Sequence, residues 1–207
     1  MEQRDFKDLL GMLNSQSTLF LMDQKILKPY NVPGTMMFNK YRTKIIRDQS
    51  ENEVMRIDYD SSSESTGKGL LGKLQQMAVG MLNFKLGDLD GNYLYTVKVD
   101  SFMTTTHHFH IFNGEGSEEK YSAVHKMMSL ARESLVVSST DGNPLLSAEY
   151  RGYRKFIELK DGNGVTVGEL HAPIISMRDR WQLKFNGDCE RSLALVMVAI
   201  MSELGQR

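Results

Sequence analysis

Leu193-Ala194-Leu195-Val196-Met197-Val198-Ala199-Ile200-Met201 is the longest apolar run in the chain, and its reading decides the fold. It sits in a stretch, Cys189 to Leu204, that has no glycine or proline and is rich in Leu, Ala and Met. That composition is helical, and the run leaves no polar face. A helix that is apolar all round must be buried on all sides. Its nine residues fall well short of the roughly 18 to 20 that cross a bilayer, so its cover must be protein. Asp188 or Ser192 is placed to cap its start.

The cover is legible upstream. Asp90-Gly91-Asn92, Asp141-Gly142-Asn143 and Asp161-Gly162-Asn163 repeat one tripeptide, and Asn113-Gly114-Glu115-Gly116 and Asn186-Gly187-Asp188 are close relatives. Asp-Gly and Asn-Gly supply the positive φ angles of tight hairpins. Asp48-Gln49-Ser50-Glu51-Asn52 reads as a worn version without glycine. Between the turns, apolar and polar residues alternate with period two. Trp181, Leu183 and Phe185 alternate with Gln182, Lys184 and Asn186; Tyr93, Tyr95, Val97 and Val99 alternate with Leu94, Thr96, Lys98 and Asp100. Val165-Thr166-Val167 and Phe109-His110-Ile111 are shorter versions. The turns recur about every twenty residues, so about six hairpin units give about twelve strands. A barrel of about twelve strands is too wide for side chains alone to fill. The expected fold is therefore mainly β: a closed antiparallel barrel of about twelve strands around a central hydrophobic C-terminal α-helix.

Two segments stand apart from this rhythm. Asp5 to Leu13 is amphipathic, with Phe6, Leu9, Leu10 and Leu13 at helical spacing. Residues 1–16 form an N-terminal helical segment on this reading, and 17–207 form one barrel domain with an insertion at 61–82. The insertion opens as the loop Ser61-Ser62-Ser63-Glu64-Ser65 and continues with Leu70, Leu71, Leu74, Met77, Ala78 and Met81 on one helical face. Gly67, Gly69, Gly72 and Gly80 weaken that helix by roughly 1 kcal/mol each.

Composition narrows the function. A formal charge of -1 gives no bulk attraction to nucleic acid. Cys189 is the only cysteine, so no internal disulfide forms, which suits a reducing compartment. The start Met1-Glu2-Gln3-Arg4-Asp5 has neither the apolar stretch of a signal peptide nor the glycine that myristoylation needs. The expected location is cytoplasmic, with attachment to a membrane surface as the most any membrane contact amounts to. The chain has no G-x-S-x-G, H-E-x-x-H, P-loop or dinucleotide fingerprint. A barrel filled by a helix also has no internal pocket, so the chain reads as a non-enzyme without a cofactor.

The order of elements resembles a known family. Leu21-Met22-Asp23-Gln24-Lys25 comes first, then Asn39-Lys40-Tyr41, Val54-Met55-Arg56-Ile57 and the insertion. Asn83-Phe84-Lys85-Leu86 through Asp90-Gly91-Asn92-Tyr93-Leu94-Tyr95 follows, with successive hairpins and the apolar last helix after it. From about Ser17 to Leu204 this resembles the phospholipid scramblases and their tubby-like and plant LURP-one-related relatives. The resemblance implies the helix-threaded twelve-stranded barrel and a lipid-facing role. Calcium-dependent scrambling does not carry over. The insertion has no cysteine to acylate, and Asn186-Gly187-Asp188-Cys189-Glu190 has too few carboxylates for the roughly six to eight oxygen ligands of calcium. The partners expected are anionic phospholipid head groups, phosphoinositide-like, or alternatively another protein that docks on the barrel as a scaffold.

Three sets of residues are candidates for contact. Arg42, Lys44 and Arg47, with Arg151, Arg154, Lys155, Arg178 and Arg180, form basic clusters that converge on phosphate if the fold brings them together. The plainer reading is solvated strand faces, with Asp161 and Asp179 interleaved. Leu70, Leu71, Leu74, Met77 and Met81, flanked by Lys68 and Lys73, suit a membrane surface or a partner, or else pack on the barrel itself. Among His107, His108 and His110, the pair His108 and His110 shares a strand face with the spacing to chelate a metal. No Cys, Asp or Glu nearby has ligand spacing, and the plainer reading is a solvated face opposite Phe109 and Ile111. Cys189 is flanked by Asp188 and Glu190, which raise a thiol pKa. The fourteen methionines read as core filler.

The central reading is testable in one residue. Val198→Asp places a charge where every neighbour is apolar, at a cost of several kcal/mol. The variant is expected to be insoluble on expression, and a soluble form with cooperative thermal unfolding would contradict the reading.

Overall fold

A computed structural model describes residues 6–23, 42–59, 83–100, 106–129, 132–151, 156–171 and 180–204. Helix α1 (Phe6–Ser15) comes first, then twelve strands: β1 (Thr18–Asp23), β2 (Arg42–Asp48), β3 (Glu53–Tyr59), β4 (Phe84–Gly87), β5 (Tyr93–Val99), β6 (Thr106–Asn113), β7 (Glu119–Ser129), β8 (Arg132–Ser139), β9 (Pro144–Arg151), β10 (Phe156–Asp161), β11 (Thr166–His171) and β12 (Arg180–Phe185). Helix α2 (Arg191–Leu204) follows. Each strand pairs antiparallel with its neighbours in sequence, and β1 pairs with β12 (Leu19 opposite Leu183), so the sheet closes as a twelve-stranded meander barrel.

The alternation read from the sequence holds in most strands. Trp181, Leu183 and Phe185 are buried while Lys184 is exposed; Tyr95, Val97 and Val99 are buried while Lys98 is exposed. Tyr93 departs from it. Its hydroxyl donates to Asp58 at 3.1 Å and the Lys85 ammonium stands 5.0 Å from its ring centre. The cause is a register shift between Leu86 and Gly87 at the adjoining hairpin. Val165 departs as well, exposed in the turn before β11.

One turn design closes five hairpins. In each, the fourth residue donates its N–H to the carbonyl of the first: Glu51 to Asp48, Gly91 to Asp88, Gly116 to Asn113, Gly142 to Ser139 and Gly164 to Asp161. That fourth residue is left-handed in all five. This is a type I turn followed by a bulge. The first side chain fastens the loop in four of them: Asp48, Asp88, Asn113 and Asp161 each accept from the N–H four residues on. Asp48-Gln49-Ser50-Glu51-Asn52 is thus the same turn without glycine, with Glu51 at φ 64°. Asp161-Gly162-Asn163 is not in the frame of the other two DGN tripeptides. Its left-handed residue is Gly164, and Gly162 is required because a Cβ there would collide with the Pro144 carbonyl oxygen.

In a meander these turns all fall at one end of the barrel, the turn end, together with α1 and the start of α2. The strand termini there include Asp48, Glu53, Glu119 and Asp161 and no lysine or arginine. The termini at the far end include Arg42, Arg132, Arg151 and Arg180, with Asp23 as the one acid. Between the two ends the outer wall mixes signs.

Every residue from Leu193 to Ile200 is at most 1% exposed, and they join the buried faces of the strands in one apolar cluster. The helix begins on the Glu190 carbonyl, which accepts from the N–H of Leu193 and Ala194, rather than on Asp188 or Ser192. Arg191 ties it to the first helix: its Nε donates to the Gln16 carbonyl at 2.8 Å, and its guanidinium lies 4.7 Å from the Phe185 ring centre.

The turns give a graded test. Glu51→Gly removes a left-handed strain of about 1–2 kcal/mol and returns part of it as chain entropy, so the urea midpoint is expected to rise by the equivalent of about 0.5–1 kcal/mol. Gly162→Ala is expected to cost more than Gly164→Ala, where no atom lies within 4 Å of the added methyl. Equal losses would reject the shifted frame.

Candidate functional site

The basic candidates on the described strands fall at different places. Arg42 opens β2, Arg151 closes β9 opposite Arg132, and Arg180 opens β12, so these three share the far end. Arg47 sits at the turn end, bonded to Glu53 at 2.7 Å and near Glu51 at 3.8 Å. Lys44 corrects the sequence reading of a surface cation: it is 1% exposed. It shares the inward parity of Ile46, and its Nζ donates to Ser202 Oγ at 2.6 Å, with the Tyr59 ring centre at 5.6 Å. The last turn of α2 supplies the physical reason, because the carbonyl end of a helix favours a cation. Arg154, Lys155 and Arg178 lie outside the described residues, as do Leu70, Leu71, Leu74, Met77 and Met81.

The three histidines of β6 separate by strand parity. His108 is exposed opposite Val124. His110, on the same outer face, has both ring nitrogens taken: Nε2 lies 2.9 Å from Asp100 and Nδ1 2.7 Å from Glu119. These hydrogen bonds, to Asp100 first and Glu119 second, raise the imidazole pKa above its ordinary 6.5 against a smaller opposing effect of burial. His107 points the other way, with Phe109 and Ile111, and is buried. Its Nδ1 is 3.1 Å from Nδ1 of His125, its partner across β7, and the rings stack with centres 5.3 Å apart. His125 Nε2 in turn bonds Glu133 of β8 at 2.9 Å. Among the described residues, no group of three or more His, Cys, Asp or Glu side chains is arranged to hold a metal ion.

A second polar cluster anchors the start of α2. Tyr95 donates to Glu190 Oε1 at 2.6 Å, Ser192 donates to the same oxygen at 3.0 Å, and Tyr121 donates to Oε2 at 3.3 Å. Burial, then the bond to Glu190, drives the Tyr95 phenol far above its ordinary pKa. Burial is also the larger reason that the Cys189 thiol is raised; its acidic neighbours, opposed by Arg191, add to it. The sequence reading missed His125 and Glu133, and took Glu190 as a neighbour of Cys189 but not as the anchor of α2. The signal for His125 was available, because Tyr121, Ala123 and His125 share one strand parity, just as His107 shares that of Phe109.

With this geometry in hand, comparison with known proteins adds no name: no family model, no curated protein and no solved structure matches the chain.

His110 gives a pH test. Its folded pKa is raised, so its contribution is complete below the unfolded value near 6.5 and disappears as pH rises through the folded value. The gap in melting temperature between the unsubstituted chain and His110→Gln is therefore expected to be widest on the acid side of neutrality and to close in alkaline buffer. A gap that is constant with pH would contradict the two-carboxylate clamp.

Proposed function

We propose that this chain is a non-enzymatic module that docks its far end on an anionic phospholipid surface, with α2 inside the barrel as its core. The observation that carries the docking is the polarity of the strand termini: four arginines among those at the far end against four acids and no lysine or arginine among those at the turn end. A cationic rim opposite an anionic one orients a body toward a negative surface, and each Lys or Arg near such a surface contributes about 1 kcal/mol.

Three facts support the helix as core. Its described residues are buried, β5 and β7 hold its start through Glu190, and β2 holds its end through Lys44. A barrel of this strand number needs filling. No described helix is long and apolar enough to cross a membrane, and the outer wall carries Lys98, Lys126, Glu158 and Lys184 exposed, where a barrel set in lipid presents an apolar band. The resemblance to phospholipid scramblases and tubby-like proteins points the same way. A second reading, a scaffold for a protein partner, is favoured by a groove of about 340 Å³ between α1 and the turns. Met12 and Leu89 there are more than a third exposed, beside Asp8 and Glu53.

Flotation with vesicles separates the two. Binding is expected to phosphatidylcholine vesicles that contain phosphatidylserine or a phosphoinositide, and not to phosphatidylcholine alone. Arg42→Gln, Arg151→Gln and Arg180→Gln together are expected to weaken it about a hundredfold, at about 1 kcal/mol each. No flotation on anionic vesicles at low salt would sink the lipid reading and leave the groove.

A further inference from the structure

We infer that the groove between α1 and the turns seats a cationic amphipathic helix of a partner protein, which enters with apolar side chains and keeps Lys or Arg on either side of them. This partner chemistry rests on the scaffold reading of the groove. It is independent of the lipid reading, because the strand ends that carry the arginines lie at the opposite end of the barrel.

Shape is the first observation. Phe6, Leu9 and Met12 follow one another along α1 at helical spacing, and Val54 and Leu89 complete the apolar lining. The space between them, about 340 Å³, falls within the roughly 300–1,000 Å³ of ligand-binding clefts. Four large apolar side chains are exposed among the described residues, and two of them, Met12 and Leu89, line this groove. A methionine in the lining adapts its shape to an incoming side chain. The α1 wall is already fastened: Asn14 Oδ1 and the Gln16 carbonyl accept from Arg191 of α2. A wall held in place before the partner arrives loses little freedom on binding.

Charge is the second observation. Asp8, Glu53 and Asp88 line the groove, and no described Lys or Arg does. Lys7 precedes Asp8 on α1 but is not in the lining. Two arginines of the adjoining strands are engaged by acids. Arg47 lies 2.7 Å from Glu53 and 3.8 Å from Glu51, so two carboxylates share one guanidinium, and Arg56 bonds Asp58 at 2.8 Å. An apolar groove with net negative charge repels an acidic segment and favours an apolar one flanked by cations. The closed barrel offers no strand edge for an extended peptide to join. A helix needs no such edge, because it delivers its anchors at i and i+3 or i+4 with its own backbone already bonded.

The test uses the full chain without vesicles and labelled helical peptides that share one leucine stripe and differ only in flanking lysine, glutamine or glutamate. Fluorescence anisotropy is expected to show the lysine peptide bound about tenfold tighter than the glutamine peptide, with the glutamate peptide weakest. Met12→Ser/Leu89→Ser is expected to weaken the lysine peptide about tenfold or more, and Asp8→Lys about tenfold, with a shallower dependence on salt. Glu115→Gln/Asp141→Asn, which removes exposed acids of other turns, is expected to leave binding within about twofold. Should a groove variant melt early, methyl signals decide: the lysine peptide must move those of Met12 and Leu89 in the unsubstituted chain. Glutamine or glutamate peptides that bind as well as lysine, and lose binding in Met12→Ser/Leu89→Ser, would overturn the cationic partner and keep the scaffold reading. No binding of any peptide, with unmoved methyl signals, would overturn both. Binding lost equally in Glu115→Gln/Asp141→Asn would reduce it to unspecific attraction, and a dimer that buries Met12 and Leu89 would make a second copy the occupant; each overturns the inference.

Discussion

A helix without a polar face has to be surrounded, and that requirement organises this molecule. Each large side chain of α2 gains roughly 1.5–3 kcal/mol when it leaves water completely, and from Leu193 to Ile200 none keeps appreciable exposure. The polar atoms at the two ends of such a helix still need partners. Glu190 and Arg191 engage Tyr95, Tyr121 and Gln16 at the start, and Ser202 takes the Lys44 ammonium near the finish. Those contacts explain why a carboxylate, a guanidinium and an ammonium stand so close to an apolar core. Each is bonded, and the anion near the N–H end and the ammonium near the carbonyl end match the helix dipole.

The strand termini carry an asymmetry of their own. Four acids stand among the strand termini of the turn end and four arginines among those of the far end. The turn end is acidic partly for a local reason: Asp48, Asp88 and Asp161 each close a loop by accepting backbone N–H groups.

How much of this could be read in the residues depends on what each signal measures. Glycine and asparagine mark turns because few residues tolerate a positive φ, and period two marks strands because a pleat has two sides. Those rules gave the strand number, the worn turn at Glu51 and the buried run at 193–201. They mislead where the same letters answer a different need, as at Gly162, which avoids a carbonyl while Gly164 makes the turn. The site was less legible. Lys44 is charged and therefore reads as a surface residue, although its parity with Ile46 puts it inside. His107 reads as one of a cluster of three, although a strand sends its neighbours to opposite faces. His107 meets His125, and His125 meets Glu133, only across strand pairings, which no local pattern records.

The meander has one seam that unites distant parts of the chain, the pairing of β1 with β12. Every other strand pair joins neighbours in sequence and forms at little entropic cost, whereas the seam must close a loop of nearly the whole chain. On a ribosome, β12 and α2 also emerge after all the other strands. Until they do, β1 presents a bare edge and the growing sheet has an uncovered apolar face, the combination that invites strand-to-strand association between chains. A newly made molecule of this architecture therefore depends on β12 and α2, and translation that stops short of them leaves an open, sticky sheet.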